Sequence, residues 1–314
     1  MRRLEQRVTG TAASCERGER VAGRPLDVEA RRAIPSLCQF DYLHLSELAG
    51  DLEREIHRFR DAADRAPRVI DIGCGASPYR HMFRPNPTRS RSASNPERAG
   101  GPHGEVAGPP GGPDYVRLDP DMRARPDVVA EASRLPFRGV CFDVLLCTQA
   151  LQYVADPVGA VREFARVLRP GGLALVSTHG RWPAEGAVPE HRWNPSGLAE
   201  LFTPFESSAI LPECTSLSGA MQRVNLRLRA AARGAETRLG ASGRLLAACA
   251  NLAHGTLNLV GLAGRRFTPR RVECAHRDAA CEHGAALNYL VIARAPTGAG
   301  ARRGPSPRAG SRGE

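Results

Sequence analysis

Two segments of the chain repeat apolar residues every three or four positions, which is the spacing of an amphipathic helix. In FDYLHLSELAGDLEREIHRF these residues are Leu45, Leu48, Leu52, Ile56 and Phe59. In DPVGAVREFARVLRPGG they are Val158, Val161, Phe164 and Leu168. Both segments are therefore predicted to be helices that pack one face against a sheet.

The second of these helices has well-marked ends. Asp156 can cap its first turn, and Pro157 suits that turn because its missing N–H would have no partner there. Pro170, followed by two glycines, stops the helix.

Short apolar runs lie between the helices and are predicted to be strands. RVIDI shows no alternation of apolar and polar residues, which indicates burial on both faces. The later runs are YVRLD, DVVAEA, FDVLLCTQ, LALVST and ALNYLVIARA. Strands that alternate with helices predict an α/β protein with a mostly parallel sheet flanked by helices.

Composition divides the chain into segments. Residues 1–38 are polar, Arg-rich and aperiodic, and residues 84–113 are too rich in Pro, Gly and Ser to pack. Both are predicted to be disordered, as is the tail at 295–314. The remaining parts are an α/β domain and a helical, basic and apolar insertion, at 39–214 with 285–294 and at 215–284 respectively.

The net charge of +11 comes from 44 basic residues, all of them Arg, against 33 acidic residues. The surplus is local: residues 114–206 hold 10 Arg against 12 acids, whereas residues 221–273 hold 10 Arg against two. No pattern of stacking aromatic residues accompanies the basic part. This distribution disfavours nucleic acid as a partner, and an anionic membrane surface or plain solvation suits the charge better.

Nine scattered cysteines and no secretory apolar segment near the start predict reduced thiols in a cytoplasmic protein. CAHRDAACEHG offers four metal-ligating side chains, but its spacing matches no common zinc pattern. No metal is predicted. The four residues are Cys274, His276, Cys281 and His283.

The segment from Leu245 to Ala263 reaches the length of a membrane span, but it contains Asn, His and Gly. A helical cap over the domain, or a helix lying on a membrane face, fits it better. The second of these alternatives predicts peripheral membrane contact through residues 221–271.

The stretch RVIDIGCGASPYR predicts the ligand site. A strand ends in Asp71 and Ile72, then turns at Gly73 and Gly75. The third glycine of a dinucleotide fingerprint would fall at position 78, which is proline, and no lysine follows for a phosphate loop. The turn therefore suits an adenosine ligand that carries no phosphate.

Asp119 ends the next strand, where a carboxylate can accept both ribose hydroxyls. It follows Gly75 by 44 residues, more than the usual distance of about 20. Without the 30 residues of 84–113, a separation of 14 remains, which is compatible.

Four motifs in order, VIDIGCG, AEASRLPF, FDVLLCTQALQYVADP and ARVLRPGGLALVSTHG, resemble those of class I S-adenosylmethionine-dependent methyltransferases. The resemblance covers about 40–205 and the final strand, and it implies a Rossmann-like seven-stranded sheet. Other stretches, including RWNPSGLAELF and LNYLVIAR, resemble a bacterial subgroup associated with glycan or envelope biosynthesis.

The resemblance implies roles for individual residues. Asp71 and the turn Gly73–Cys74–Gly75 would hold the methionine part of S-adenosyl-L-methionine, and Asp119 the ribose. Glu131, Ala132 and Leu135 would lie at the adenine, although the family usually has Asp in place of Glu131. The methyl-transfer site would be lined by residues at the end of the fourth strand, namely Cys147, Thr148 and Gln149.

An oxygen acceptor would benefit from a base with a pKa near neutral, and histidine is the natural choice. His179 directly follows the LALVST strand, whose carboxyl end should face the ligand crevice. His191, next to RWNP, is the second candidate.

The predicted activity is O-methylation of a small molecule, with a sugar, a glycan or a lipid-type compound as acceptor. LQYV replaces the Leu-Glu-His-Val common in the family, and with Glu131 this leaves a catalytically inactive cofactor-binding or scaffolding protein as an alternative. An RNA methyltransferase is disfavoured by the distribution of charge.

Overall fold

The computed structural model describes residues 32, 35–63, 65–83, 114–183, 190–239, 241–265, 274–275 and 286–297. The segment 84–113, residues 1–31 and the tail beyond 297 lie outside the described residues, so the disorder predicted for them stays a prediction. Residues 35–38 precede the first long helix.

One sheet organises the molecule, and its strands run in the order β2-β1-β3-β4-β7-β5-β6. The strands are β1 Val69–Ile72, β2 Tyr115–Leu118, β3 Phe142–Thr148, β4 Leu168–His179, β5 Ser207–Glu213, β6 Cys274–Ala275 and β7 Asn288–Arg294.

The first four strands in this order are parallel, and β7 runs antiparallel to both β4 and β5. The predicted α/β class and mostly parallel sheet are confirmed. Six strands are four residues or longer, and the count of seven is reached only with the two-residue edge strand β6. DVVAEA, predicted as a strand, contributes only a single bridge from Val128 to Leu118.

Within the described ranges, five α-helices pack on and beside this sheet. They are α1 Tyr42–Asp61, α2 Pro157–Val167, α3 Pro195–Leu201, α4 Ser216–Leu239 and α5 Ala241–Arg265. The predicted cap of α2 is present, since the Asp156 carboxylate accepts a hydrogen bond of 2.8 Å from the Gly159 amide.

Alternate residues of the strands enter two apolar layers, one on each side of the sheet. Ile70, Leu145 and Val176 belong to the layer beneath α2 and α3. Val69, Leu146 and Leu175 belong to the layer beneath α1. The sheet is therefore covered on both faces, as the unbroken apolar strands predicted.

The buried stripe of α1 is as predicted, with Leu45, Leu48, Leu52 and Ile56 buried and Phe59 partly buried. The stripe predicted for α2 is wrong at two positions. Leu168 is buried but begins β4, because the helix ends at Val167, before the predicted stop at Pro170. Val158 lies in the first turn and is 48% exposed. The side chains that cover the sheet are Ala160, Val161, Phe164 and Val167.

Helices α4 and α5 form a hairpin that is fixed to the chain before α1 by buried amide side chains. Asn258 donates to the Leu37 and Gln39 carbonyls at 2.7 and 2.8 Å, and Gln222 donates to the Phe40 carbonyl at 2.7 Å. Two polar residues of α5, His254 and Asn258, therefore point into the protein. None of the helices in the described ranges combines the length and hydropathy that a bilayer crossing requires.

We expect Phe164→Ala to lower the free energy of unfolding by about 3–5 kcal/mol, because the ring is fully buried and its loss leaves a cavity. The matched control on the same helix is Val158→Ala, which should change stability by less than about 0.5 kcal/mol. Urea unfolding measures both. Equal losses for the two variants would contradict this assignment of the buried face.

Candidate active site

The turn after β1 is shaped by contact with the end of β3. Gly73 and Gly75 have φ angles of +65° and +49°, which favour glycine. A Cβ on Gly73 would overlap the Cβ of Ala150. The Gly73 amide donates to the Leu118 carbonyl at 2.8 Å. Glycine is therefore required for both the turn and the close approach of the two strand ends.

Asp71 supports this turn from inside the sheet. Its side chain is buried, and the Tyr115 hydroxyl donates to its carboxylate at 2.7 Å. Burial raises the pKa of Asp71 to about 7, against the opposing effect of that hydrogen bond. The neighbouring Cys74 is also buried, and burial raises the pKa of its thiol to about 12, so it stays protonated.

Asp119 lies where the sequence places the ribose carboxylate. Its two oxygens accept from the Gly75 amide at 3.0 Å and from the Asp121 amide at 2.9 Å. The side chain is only partly buried, and each carboxylate oxygen has capacity for a further hydrogen bond. The Asp119 carboxylate thus lies beside the glycine turn and can accept further hydrogen bonds from a pair of hydroxyl groups.

The residues predicted at the adenine lie after β2 and differ in exposure. Ala132 and Leu135 are buried, while Glu131 is exposed. Cys147, predicted to line the methyl-transfer site, is fully buried in the apolar layer beneath α2 instead. Thr148 and Gln149 follow it at the carboxyl end of β3, and Gln149 has a φ of +53°.

A cavity of about 760 Å³ adjoins this strand edge. Gln149 lines it, one residue from the Ala150 side chain that contacts Gly73. The other lining residues come from the chain before α1, from α1, from the ends of β3 and β4 and from the α4–α5 hairpin. They include Phe40, His44, Gln152, Tyr153, His179, Trp182, Arg229, Arg233 and His254.

His179, the first predicted base, lies in the wall of this cavity. Its Nδ1 is 3.6 Å from Glu190 Oε2, and its Nε2 is 3.4 Å from Gln152 Nε2. Because the Gln152 nitrogen is a donor, this contact assigns the lone pair to Nε2 and the proton to Nδ1. The ring stacks on Trp182. Burial lowers the pKa of His179 to about 4, below the near-neutral value expected for the base, so the ring is neutral at pH 7.

His191, the second predicted base, is not among the residues that line the cavity. Its ring is half-buried and stacks on Trp193. Its backbone amide donates to the Gln152 carbonyl at 2.7 Å. His191 therefore helps to place the loop that carries Glu190.

His44 and Glu213 are functional candidates that the sequence did not indicate. His44 lines the cavity, and its Nδ1 is 3.1 Å from Glu213 Oε2. Glu213 is fully buried, and burial raises its pKa to about 8. Two histidines of the cavity thus each direct Nδ1 to a glutamate. Only the position of His44 near the apolar stripe of α1 could have drawn attention to it.

Three polar residues form a row at one end of the sheet. Asn288 of β7 pairs in register with His179 of β4 and with Glu213 of β5. Directly opposed residues project to the same face of a sheet, here the face covered by α1. Asn288 is fully buried, and neither atom of its amide has a hydrogen-bond partner among the described residues.

Among the described residues, no group of three His, Cys, Asp or Glu side chains is suited to hold a metal ion. Three of the four residues in the zinc alternative lie outside the described ranges, and Cys274 forms part of β6.

A family model described as a methyltransferase domain matches residues 114–176. The chain is 29% identical over 192 residues to a ubiquinone biosynthesis O-methyltransferase of Ruegeria sp. (strain TM1040), covering 56% of this chain and 69% of that protein. It is 31% identical over 122 residues to a protein of the same name from Xanthomonas oryzae pv. oryzae (strain PXO99A), covering 38% and 46%. The chain thus spans less than half of the second relative.

Solved structures are more distant. An S-adenosylmethionine-dependent methyltransferase from Mesorhizobium loti is 14% identical, and the alignment covers 76% of this chain and 96% of that one with a TM-score of 0.38. That similarity is too low to compare individual site residues. The matched methyltransferase domain, the four ordered motifs and the glycine turn with its strand-end carboxylate are all similar to class I S-adenosylmethionine-dependent methyltransferases.

Proposed function

We propose that the protein transfers a methyl group from S-adenosylmethionine to a hydroxyl oxygen of a small molecule bound in the 760 Å³ cavity. The observation that carries this proposal is His179, a neutral imidazole with an unprotonated Nε2 in a cavity wall that adjoins the glycine turn.

The residues around the turn fit the cofactor. The glycine at position 73 keeps side-chain volume out of the turn, so that the methionine part would lie against the backbone. Asp119 would accept the ribose hydroxyls, and Ala132 and Leu135 would pack near the adenine, with Glu131 at the rim. Asp71 would act by holding the turn, since its carboxyl is buried beneath it. When bound, the cofactor supplies an electrophilic methyl group on a sulfonium.

The protein's own residues would position the acceptor and take its proton. The acceptor oxygen forms the new bond to the methyl carbon, the bond from carbon to sulfur breaks with its electrons on sulfur, and the hydroxyl proton passes to His179 Nε2. Glu190 faces Nδ1 and stabilises the resulting imidazolium. Burial of this wall excludes water and strengthens that interaction.

The acceptor is proposed to be a sugar, a glycan or a lipid-type compound. The many polar side chains of the cavity suit a hydroxylated molecule. The relatives named for ubiquinone biosynthesis are O-methyltransferases, which supports oxygen as the methylated atom. Their name also favours a lipid-type compound over a glycan.

Peripheral contact with a membrane is also proposed, for the segment 221–271. Helix α5 has no charged residue between Arg244 and Arg265, and several of its apolar side chains are exposed. They are Leu246, Leu252, Leu259 and Val260, from 44% to 72% exposed. Exposed arginines of α4, such as Arg223 and Arg227, would add attraction to anionic lipids.

Asp119→Asn should weaken S-adenosylmethionine binding about 10- to 100-fold, because charged hydrogen bonds to the ribose are lost. Isothermal titration calorimetry measures the affinity. Asp121→Asn, an exposed neighbour, is the control and should bind nearly as tightly as the unaltered protein. Equal affinity of both variants would remove Asp119 from the cofactor site.

His179→Gln should lower kcat by roughly 100- to 10,000-fold on any acceptor that is turned over, as expected for loss of a general base. His191→Gln should lower it much less.

Because the neutral form of His179 is required and its pKa is lowered, activity should be lost only as the pH falls toward about 4, and not near the ordinary histidine value of 6.5. Cofactor binding without turnover on any acceptor would favour the inactive scaffold.

Leu252→Glu should reduce binding to vesicles made of equal parts phosphatidylcholine and phosphatidylglycerol, because it places a charge on the apolar face of α5. Co-sedimentation measures the bound fraction. The control is Val158→Glu, which changes an exposed apolar residue on α2. Unchanged binding by the Leu252 variant would argue against contact through this face.

A further inference from the structure

The mouth of the cavity carries more cationic than anionic side chains. Helix α4 lines the cavity with residues 229, 232, 233 and 236, which share one helix face at three- and four-residue spacing. Two of them are Arg229 and Arg233, and a third arginine, Arg32, lines the same space.

One of these guanidinium groups is held against an aromatic ring. The Arg229 guanidinium carbon lies 3.5 Å from the centre of the Phe40 ring. Phe40 is itself fixed, since its carbonyl accepts a hydrogen bond from Gln222 of α4. A stacked guanidinium keeps its N–H groups in its own plane, where they can still bind a planar or tetrahedral anion.

The acidic residues nearby offset this charge only in part. Asp41 and Glu236 also line the cavity. Burial raises the pKa of Asp41, against the lowering effects of a backbone hydrogen bond and of the nearby Arg229 and Arg32. Glu236 is exposed to solvent, which screens it. The cavity mouth therefore carries a net positive field.

We propose that the acceptor carries an anionic group, a phosphate or a carboxylate, which Arg229 and Arg233 bind at the cavity mouth while its hydroxyl lies at His179. This inference deepens the proposed methyl transfer. The two arginines belong to the α4–α5 hairpin, and His179 ends β4 of the sheet. An acceptor of this class would therefore contact both the α4–α5 hairpin and the sheet when it binds.

The test uses the full chain saturated with S-adenosylhomocysteine, so that the cofactor site is filled, and inorganic phosphate as the probe. Phosphorus NMR or calorimetry should show saturable binding. Arg229→Gln and Arg233→Gln should each weaken it about 10-fold or more, as expected for a charge-assisted hydrogen bond. The matched control is Arg227→Gln, an exposed arginine on the same helix that does not line the cavity, which should leave it unchanged.

Absence of saturable phosphate binding, or equal weakening by all three variants, would overturn the proposal. A parallel measurement with phosphatidylglycerol vesicles distinguishes the sources of the anion. If the Arg229→Gln and Arg233→Gln variants lose phosphate binding but retain vesicle binding, the acceptor is a small anionic molecule. If they lose both, the anion is a lipid headgroup.

His179→Gln separates this site from the proposed reaction. The substitution should slow methyl transfer by the factor given above and leave phosphate binding intact, since the two groups of residues lie on different elements. Phosphate binding that persists in a protein inactive on every acceptor would remove the methyl transfer and keep the anion site.

Discussion

The contact of Gly73 with Ala150 is the constraint on which the site depends, because it brings the ends of β1 and β3 together without intervening side-chain volume. Two features of the site lie beside this contact. Asp119 accepts a hydrogen bond from the Gly75 amide, and Gln149 lines the cavity next to the turn. The cofactor turn and the acceptor cavity are thus parts of one junction between neighbouring parallel strands, the place where ligands bind in open α/β sheets.

The apolar layers on both faces of the sheet stabilise a fold that also buries many polar groups. Asp71, His44 and Glu213 are nearly or fully buried, and burying such groups costs free energy even when they are paired. Local interactions reduce that cost unevenly. Tyr115 donates a hydrogen bond to Asp71, and Glu213 lies 3.1 Å from His44 Nδ1. Neither Glu213 nor Asn288 has a side-chain hydrogen-bond partner among the described residues.

Local patterns predicted the features that depend on neighbouring residues. The stripe of α1, the cap at Asp156, the glycine turn and the strand-end Asp119 are all in place. Features that depend on distant residues were not predictable. His44 meets Glu213 across 169 positions of sequence, and no spacing rule links them. The errors were local too: Val158 fits the helical period but lies in the first turn, clear of the sheet, and Cys147 follows strand alternation into the core.

The row formed by His179, Asn288 and Glu213 bears on how this protein can evolve. Apolar replacements in the row would pack well against the layer beneath α1 and relieve a desolvation cost, so selection for stability alone would favour them. Purifying selection for activity would have to oppose that drift at all three strands. Orthologues that have lost the enzymatic role but kept the fold should therefore become apolar at these positions first, and the row would serve as a marker of retained catalysis across the lineage.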